Sequence, residues 1–423
     1  MNWKEVDQNH IWHPFGPLHG LEHLMVESAE GIYLNLEGGR KVIDGISSWW
    51  VNLHGHSHPY IADAIAKQAR SLEHVIFAGF THEPAVRLIE RLVKIVPGKM
   101  QRAFFSDNGS TAVEVGVKMA IQHWHNLDII SKKKIVILEG AYHGDTFGTM
   151  SLSGKSSFYK PFFDYLFEVE VIPFPDKDHE QEAIERLKEI CESGDLGVFV
   201  YEPLVQGSAG MRMASPEVFE VLLGIAKQHE VICVADEVLT GFGRTGKFFA
   251  SDYMEIKPDI VCMSKGLTGG TLAMSLTMCN EKVASSYETS DKSKTFYHGH
   301  SFTANPLACA VANASLDLME RTTTWDSIEN ICRLHEKAAT RFRGSDKVSE
   351  ARSFGTFLAL EITTDEGTSY FNNLRDRLYE EMMKRDVLLR PLGNVLYVLP
   401  PYCITTEELE HIYSMIGEAL EGI

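Results

Sequence analysis

Apolar and polar positions alternate in blocks along the middle of the chain. Short apolar runs rich in Val, Ile and Phe are separated by longer stretches whose apolar residues recur at helical spacing. The first pattern predicts buried strands and the second amphipathic helices, which together predict βαβ units around a mainly parallel sheet. Five of the runs end in polar groups. RAFFS passes into Asp107-Asn108-Gly109-Ser110, and KIVILEGA into Tyr142-His143-Gly144. LGVFVYE ends at Glu202, VICVAD at Asp236 and DIVCMSK at Lys265. Ligands of open α/β sheets bind outside the carboxyl ends of the strands. Five such ends predict one site, and Lys265, of a residue type rarely buried without a partner, is a member of it.

Past about residue 310 the texture changes to helical patterns such as ANPLACAVANASLDLME, set around short strands such as FGTFLALEIT and NVLYVLPP. A chain of 423 residues suits two domains. The expected division is a large α/β domain over 49–312 and a smaller α+β domain over 313–423. An N-terminal segment, 1–48, is expected to pack with the small domain and to contain a hairpin in GIYLNLEGGRKVIDG.

The net charge of −18 argues against a nucleic-acid or anionic-membrane surface. Seven scattered cysteines without a CxxC argue against a disulfide framework and a metal site, and favour a reducing compartment. The polar N-terminus has no apolar signal core, and no stretch approaches the ~20 apolar residues of a membrane span. A cytoplasmic location is therefore expected. GFGRTG, 241–246, spells a dinucleotide fingerprint but lacks a strand directly before it and an acidic residue about 20 positions later at the end of a second strand. HGHSHP, 54–59, is read as a turn before a helix and not as a metal site.

SDNGSTAVEVGVKMAIQHW predicts a helix whose buried face holds Val113, Val117, Ala120 or Ile121, and Trp124, with Thr111 and Glu114 as its capping box. Gly109 and Ser110 then lie at a helix N-terminus, where free amides and the dipole favour a phosphate. Asp236 ends a buried strand, where a carboxylate requires a cationic partner. Either it pairs directly with Lys265, or it faces a protonated ring nitrogen while Lys265 forms a Schiff base with an aldehyde. Pyridoxal phosphate needs the second arrangement: a lysine, a carboxylate and a phosphate seat. Tyr142 offers an aromatic face to the ring.

With ADEVLTGFGRTGKFFA and PDIVCMSKGLTGG, the chain resembles the fold-type I, class III aminotransferases over essentially its whole length. HIWHPF, DGISSWWVNLHGHSHP, AYHGDTFGTMS, EPLVQGSAGMRM, HGHSFTANPLACA and LRPLGNVLYVLPPY are similar to the branch that acts in biotin biosynthesis. That branch passes the amino group of S-adenosyl-L-methionine to 8-amino-7-oxononanoate. The resemblance implies pyridoxal 5'-phosphate, a homodimer with shared active sites, and a ping-pong transamination. It implies Lys265 as the Schiff-base lysine, Asp236 as the pyridinium partner, Gly109 and Ser110 as the phosphate loop and Tyr142 as the ring-stacking and substrate-contacting residue. Trp50 is implied as a wall of the substrate pocket, Phe15 as a substrate-contacting position, and Arg390 as the receiver of the keto acid's carboxylate. Gly299, His300 and Ser301 are implied to reach the neighbouring subunit's cofactor. Two positions depart from the pattern: His300 stands where the family has proline, and Phe15 where it has tyrosine. Lysine as donor, and another class III ω-amine transaminase, are the alternatives.

Overall fold

The computed structural model describes residues 2–20, 22–154, 157–365, 368 and 372–422. Its centre is a seven-stranded sheet in the order Met100–Ser106, Ser275–Asn280, Ile260–Met263, Ile232–Asp236, Leu196–Tyr201, Lys134–Leu138 and Glu170–Ile172. The strand Ser275–Asn280 runs antiparallel to both neighbours, and every other pairing is parallel. All five strand ends singled out in the sequence therefore meet along one edge. Asp236 pairs with Cys262, three residues before Lys265, so the sheet register brings the carboxylate and the amine together.

Every residue of Leu196–Tyr201, Ile232–Asp236 and Ile260–Met263 is buried. Helices cover both faces, so these strands read as continuous apolar runs without alternation. Each Val or Phe fully buried there contributes about 1.5–3 kcal/mol. The helix Gly109–Asn126 crosses one face and buries Val113, Val117, Ala120 and Trp124, leaving Ile121 exposed. Gly116 lets it approach closely, because a Cβ there would lie 2.9 Å from Cys262 Sγ.

The N-terminal hairpin forms as expected, with Tyr33–Leu36 antiparallel to Lys41–Asp44. Val387–Leu388, from near the C-terminus, adds to it in parallel. A second small sheet, Val348–Phe354, Phe357–Ile362 and Val395–Val398, is antiparallel throughout and packs under the helix Thr322–Phe342. Among the described residues no helix is long and apolar enough to cross a membrane.

Candidate active site

A cavity of about 1310 Å³ opens at the carboxyl edge of the central sheet. Lys265, Asp236, Tyr142, Gly109, Ser110, Trp50, Phe15 and Arg390 all line it. Gly299, His300 and Ser301 do not.

Lys265 leaves its strand with φ at 35°, a left-handed conformation that a side-chain-bearing residue adopts only under constraint. The short turn Lys265–Thr268 follows and closes on Gly269, also left-handed. The amine therefore faces the cavity and lies 4.9 Å from the centroid of the Trp50 ring. Among the described residues it has no ion-pair partner, and the oxygens of Asp236 go to His143 and Val238 instead, so the direct Lys265–Asp236 bridge is not the arrangement adopted. Burial lowers its pKa from the ordinary lysine value, against the opposing pull of Asp236 and Glu202.

Asp236 is held at both oxygens. His143 Nδ1 is 2.7 Å from Oδ2, and the Val238 amide donates to Oδ1 at 3.0 Å. Burial works against protonating His143, but the hydrogen bond and charge of Asp236 outweigh it and raise the pKa. Glu202 stands beside this pair and accepts from the amides of Tyr142 and Gly207. Burial pushes its pKa up to about 7, with His143 pulling the other way.

The helix over the phosphate seat starts a turn earlier than the capping box read from sequence. Asn108 is the N-cap and Thr111 its reciprocal partner, because the Asn108 side chain accepts from the Thr111 amide at 3.0 Å. Glu114 instead reaches across to Thr146 Oγ1 and the Gly148 amide. Gly109 is pressed on Val238, where a Cβ would stand 2.8 Å from Cγ1. A Cβ on Gly144 would fall inside the Ser110 side chain. The first turn of the helix is thus bare backbone and one hydroxyl at the cavity wall.

Trp49 and Trp50 stand on a feature the sequence did not announce. Ser47, Ser48, Trp49 and Trp50 all have positive φ, from 45° to 76°, and make one left-handed turn. Such a turn costs about 1–2 kcal/mol per residue, and several bonds hold it. Ser47 donates to Leu399 O, Ser48 to Asp44 Oδ2 and Trp50 Nε1 to Tyr397 OH. The buried Arg244 guanidinium, inside the GFGRTG stretch, donates to the carbonyls of Trp50 and Asn52. The turn sets Trp50 against Lys265 and Trp49 against Arg390, whose guanidinium carbon is 4.6 Å from the Trp49 ring. Phe15, itself at φ 57°, meets Trp49 edge-on at 5.2 Å.

Other cavity residues were not picked out as site residues. Asp145 accepts from Tyr142 OH at 2.8 Å and from Tyr159 OH at 3.2 Å. Burial, reinforced by Asp145, raises the Tyr142 pKa. Phe147, Phe158 and Phe162 form an aromatic rim. Asp145 and Phe147 lie in the same AYHGDTFGTMS stretch that pointed to Tyr142, so extending the strand-end argument a few residues would have reached them.

The site fits pyridoxal phosphate. A helix N-terminus, a fixed carboxylate and an amine with no ion-pair partner among the described residues share one cavity. Beside its wall Gln206 is fully buried, and neither amide atom has a hydrogen-bond partner among the described residues. A Cβ on Gly140, a cavity residue, would stand 3.1 Å from its Oε1. An unsatisfied buried amide calls for a further polar partner, and a polar ring substituent would be one such partner.

Comparison with known proteins identifies the family. The pattern of the family described as aminotransferase class-III matches residues 18–420. The adenosylmethionine-8-amino-7-oxononanoate aminotransferase of Synechococcus elongatus is 46% identical, over 98% of this chain and 99% of its own. That of Geobacter sulfurreducens is 36% identical, over 99% and 97%. Among solved structures, the adenosylmethionine-8-amino-7-oxononanoate aminotransferase of Methanocaldococcus jannaschii superposes with a TM-score of 0.94 at 31% identity, covering 99% of this chain and 98% of its own. A PLP-bound amine transaminase from an uncultivated Pseudomonas species superposes with a TM-score of 0.92 at 27% identity, covering 98% of both chains.

Proposed function

Since the chain belongs to the class-III aminotransferases, which are pyridoxal-phosphate-dependent enzymes, we propose that it transfers the amino group of S-adenosyl-L-methionine to 8-amino-7-oxononanoate in biotin biosynthesis. The observation that carries the reading is the joint placement of Lys265, Asp236, Trp50 and Arg390 in one cavity of a chain 46% identical to a relative of that name.

The cofactor, when bound, supplies a carbonyl that captures amines and a ring that withdraws electrons. The protein's residues supply the rest. Gly109 and Ser110 would hold its phosphate with the helix amides. Tyr142 would offer its aromatic face to the ring. Asp236, immobilised by His143 and Val238, would keep a proton on the pyridine nitrogen. The Lys265 amine, unprotonated more readily because burial lowers its pKa, takes the proton from the donor's α-carbon. In the second half-reaction it would carry a proton from the cofactor's exocyclic carbon, where the first half-reaction left it, to C7 of the acceptor. Arg390 fixes the acceptor's distal carboxylate by paired hydrogen bonds. Trp49, Trp50 and Phe15 exclude water from its apolar chain.

We assign the protein to the cytoplasm, supported by seven unpaired cysteines. We assign it a homodimeric state in which Gly299, His300 and Ser301 complete the partner's site. Support comes from their place outside this cavity and from Tyr297 and Phe302 beside them, which are 72% and 63% exposed. The domain division at 48 and 312 is retained as an assignment. The pairing of Val387–Leu388 with Lys41–Asp44 supports placing the N-terminal segment with the C-terminal domain.

The test mixes the holoenzyme with S-adenosyl-L-methionine or with lysine, follows the cofactor spectrum, and then adds 8-amino-7-oxononanoate. Conversion by S-adenosyl-L-methionine and formation of the diamine support the reading. Conversion by lysine alone overturns the donor, and absence of the diamine overturns the acceptor.

A further inference from the structure

The first helix, Trp3–His10, buries none of its residues. Polar contacts attach it. Trp3 Nε1 donates to Glu37 Oε1 at 3.1 Å, and Lys4 Nζ pairs with Glu22 at 2.9 Å. Asp7, whose side chain is only 15% exposed, uses both of its oxygens. Oδ1 is 2.9 Å from His13 Nε2, and Oδ2 is 2.7 Å from His23 Nδ1.

Two histidines and a carboxylate resemble a metal set. The rings, however, pack closely on one another at a tilt, with centroids 3.5 Å apart and planes inclined by 34°. Their nitrogens go to different oxygens of one carboxylate. That is the pattern of two hydrogen bonds, not of ligands converging on one ion.

His13 lies two residues before Phe15, and His23 shortly before the strand Val26–Glu30. Phe15 is 51% exposed and sits at positive φ, so packing alone does not fix it. We propose that Asp7 is a positioning residue, whose carboxylate clasps His13 and His23 and so holds the Phe15-bearing turn against Trp49 at the wall of the substrate cavity. Charge-assisted hydrogen bonds are the stronger kind, and this carboxylate makes two of them at the base of the turn. The effect on substrate rests on the function proposed above, whereas the clasp itself does not.

The experiment compares the holoenzymes of wild type, Asp7→Ala, His23→Ala, Phe15→Ala and the Asp7→Ala/Phe15→Ala double variant. Hydrogen exchange over residues 11–20 reads the clasp without any substrate, and steady-state kinetics reads the acceptor KM. Exchange is expected to rise in Asp7→Ala and, to a smaller degree, in His23→Ala, with unchanged cofactor content. The acceptor KM is expected to rise about two- to tenfold in Asp7→Ala with kcat nearly unchanged, as for loss of one or two net hydrogen bonds. In the Phe15→Ala background the same change is expected to add less than about twofold, because coupled residues are not additive. Wild-type exchange in Asp7→Ala overturns the clasp even if the enzyme proves to use other substrates. Raised exchange with independent, multiplying effects of Asp7 and Phe15 on KM overturns the positioning role. Should Asp7→Ala fail to fold, His23→Ala carries both readouts.

Discussion

His143 Nδ1 lies 2.7 Å from Asp236 Oδ2, and both groups are buried at the floor of the cavity. With the Val238 amide on its other oxygen, the carboxylate has one fixed orientation. Its charge is available to a cation above it and cannot turn away.

Asp236→Asn is expected to fold, to retain cofactor and to transaminate about ten- to a hundredfold more slowly. A carboxamide cannot hold a proton on the pyridine nitrogen, and losing a hydrogen bond to a charged group costs about 1.5–3 kcal/mol. Turnover near wild type with saturating cofactor would contradict the assigned role.

Glu202 gives a pH signature. In the unfolded chain it titrates at its ordinary 4.5, and in the folded protein at about 7. Between these values the unfolded state releases a proton that the folded state keeps. This contribution to stability is therefore full below pH 4.5 and is lost as pH rises to about 7. Denaturant titrations of cofactor-free wild type and Glu202→Gln should diverge over that range. The variant should gain relative stability on the order of 3 kcal/mol, at 1.36 kcal/mol per pH unit. Parallel stability curves would exclude a raised pKa at Glu202.

Arg390→Ala is expected to raise the acceptor KM by about ten- to a hundredfold while leaving the donor half-reaction close to wild type. Arg390→Lys should restore only part of the loss, because an ammonium lacks the planar fork and stacks less well on Trp49. Stopped-flow measurement of each half-reaction separates the two. Equal losses in both would show that Arg390 serves both substrates.

Much of the site was legible in the chain because buried parallel strands leave continuous apolar runs whose polar ends are easy to see. Asp236 and Lys265 stand out for that reason, and the sheet register then makes them neighbours. The antiparallel strand Ser275–Asn280 was not legible, since an apolar run carries no sign of its direction. The left-handed turn at Ser47–Trp50 was hidden for a different cause. Serine and tryptophan have no local preference for positive φ. The turn is held by Asp44, Leu399, Tyr397 and Arg244, three of them distant in sequence. The capping residue was misplaced by one turn because Asn108 and Thr111 both carry capping side chains and only the backbone chooses between them.

The most direct measurement is to reduce the holoenzyme with sodium borohydride, digest it and locate the cofactor by mass spectrometry. The account predicts a single pyridoxyl adduct on the peptide containing Lys265, and in Lys265→Ala a cofactor that binds but is released on denaturation. An adduct on any other lysine of the wild-type protein would contradict it.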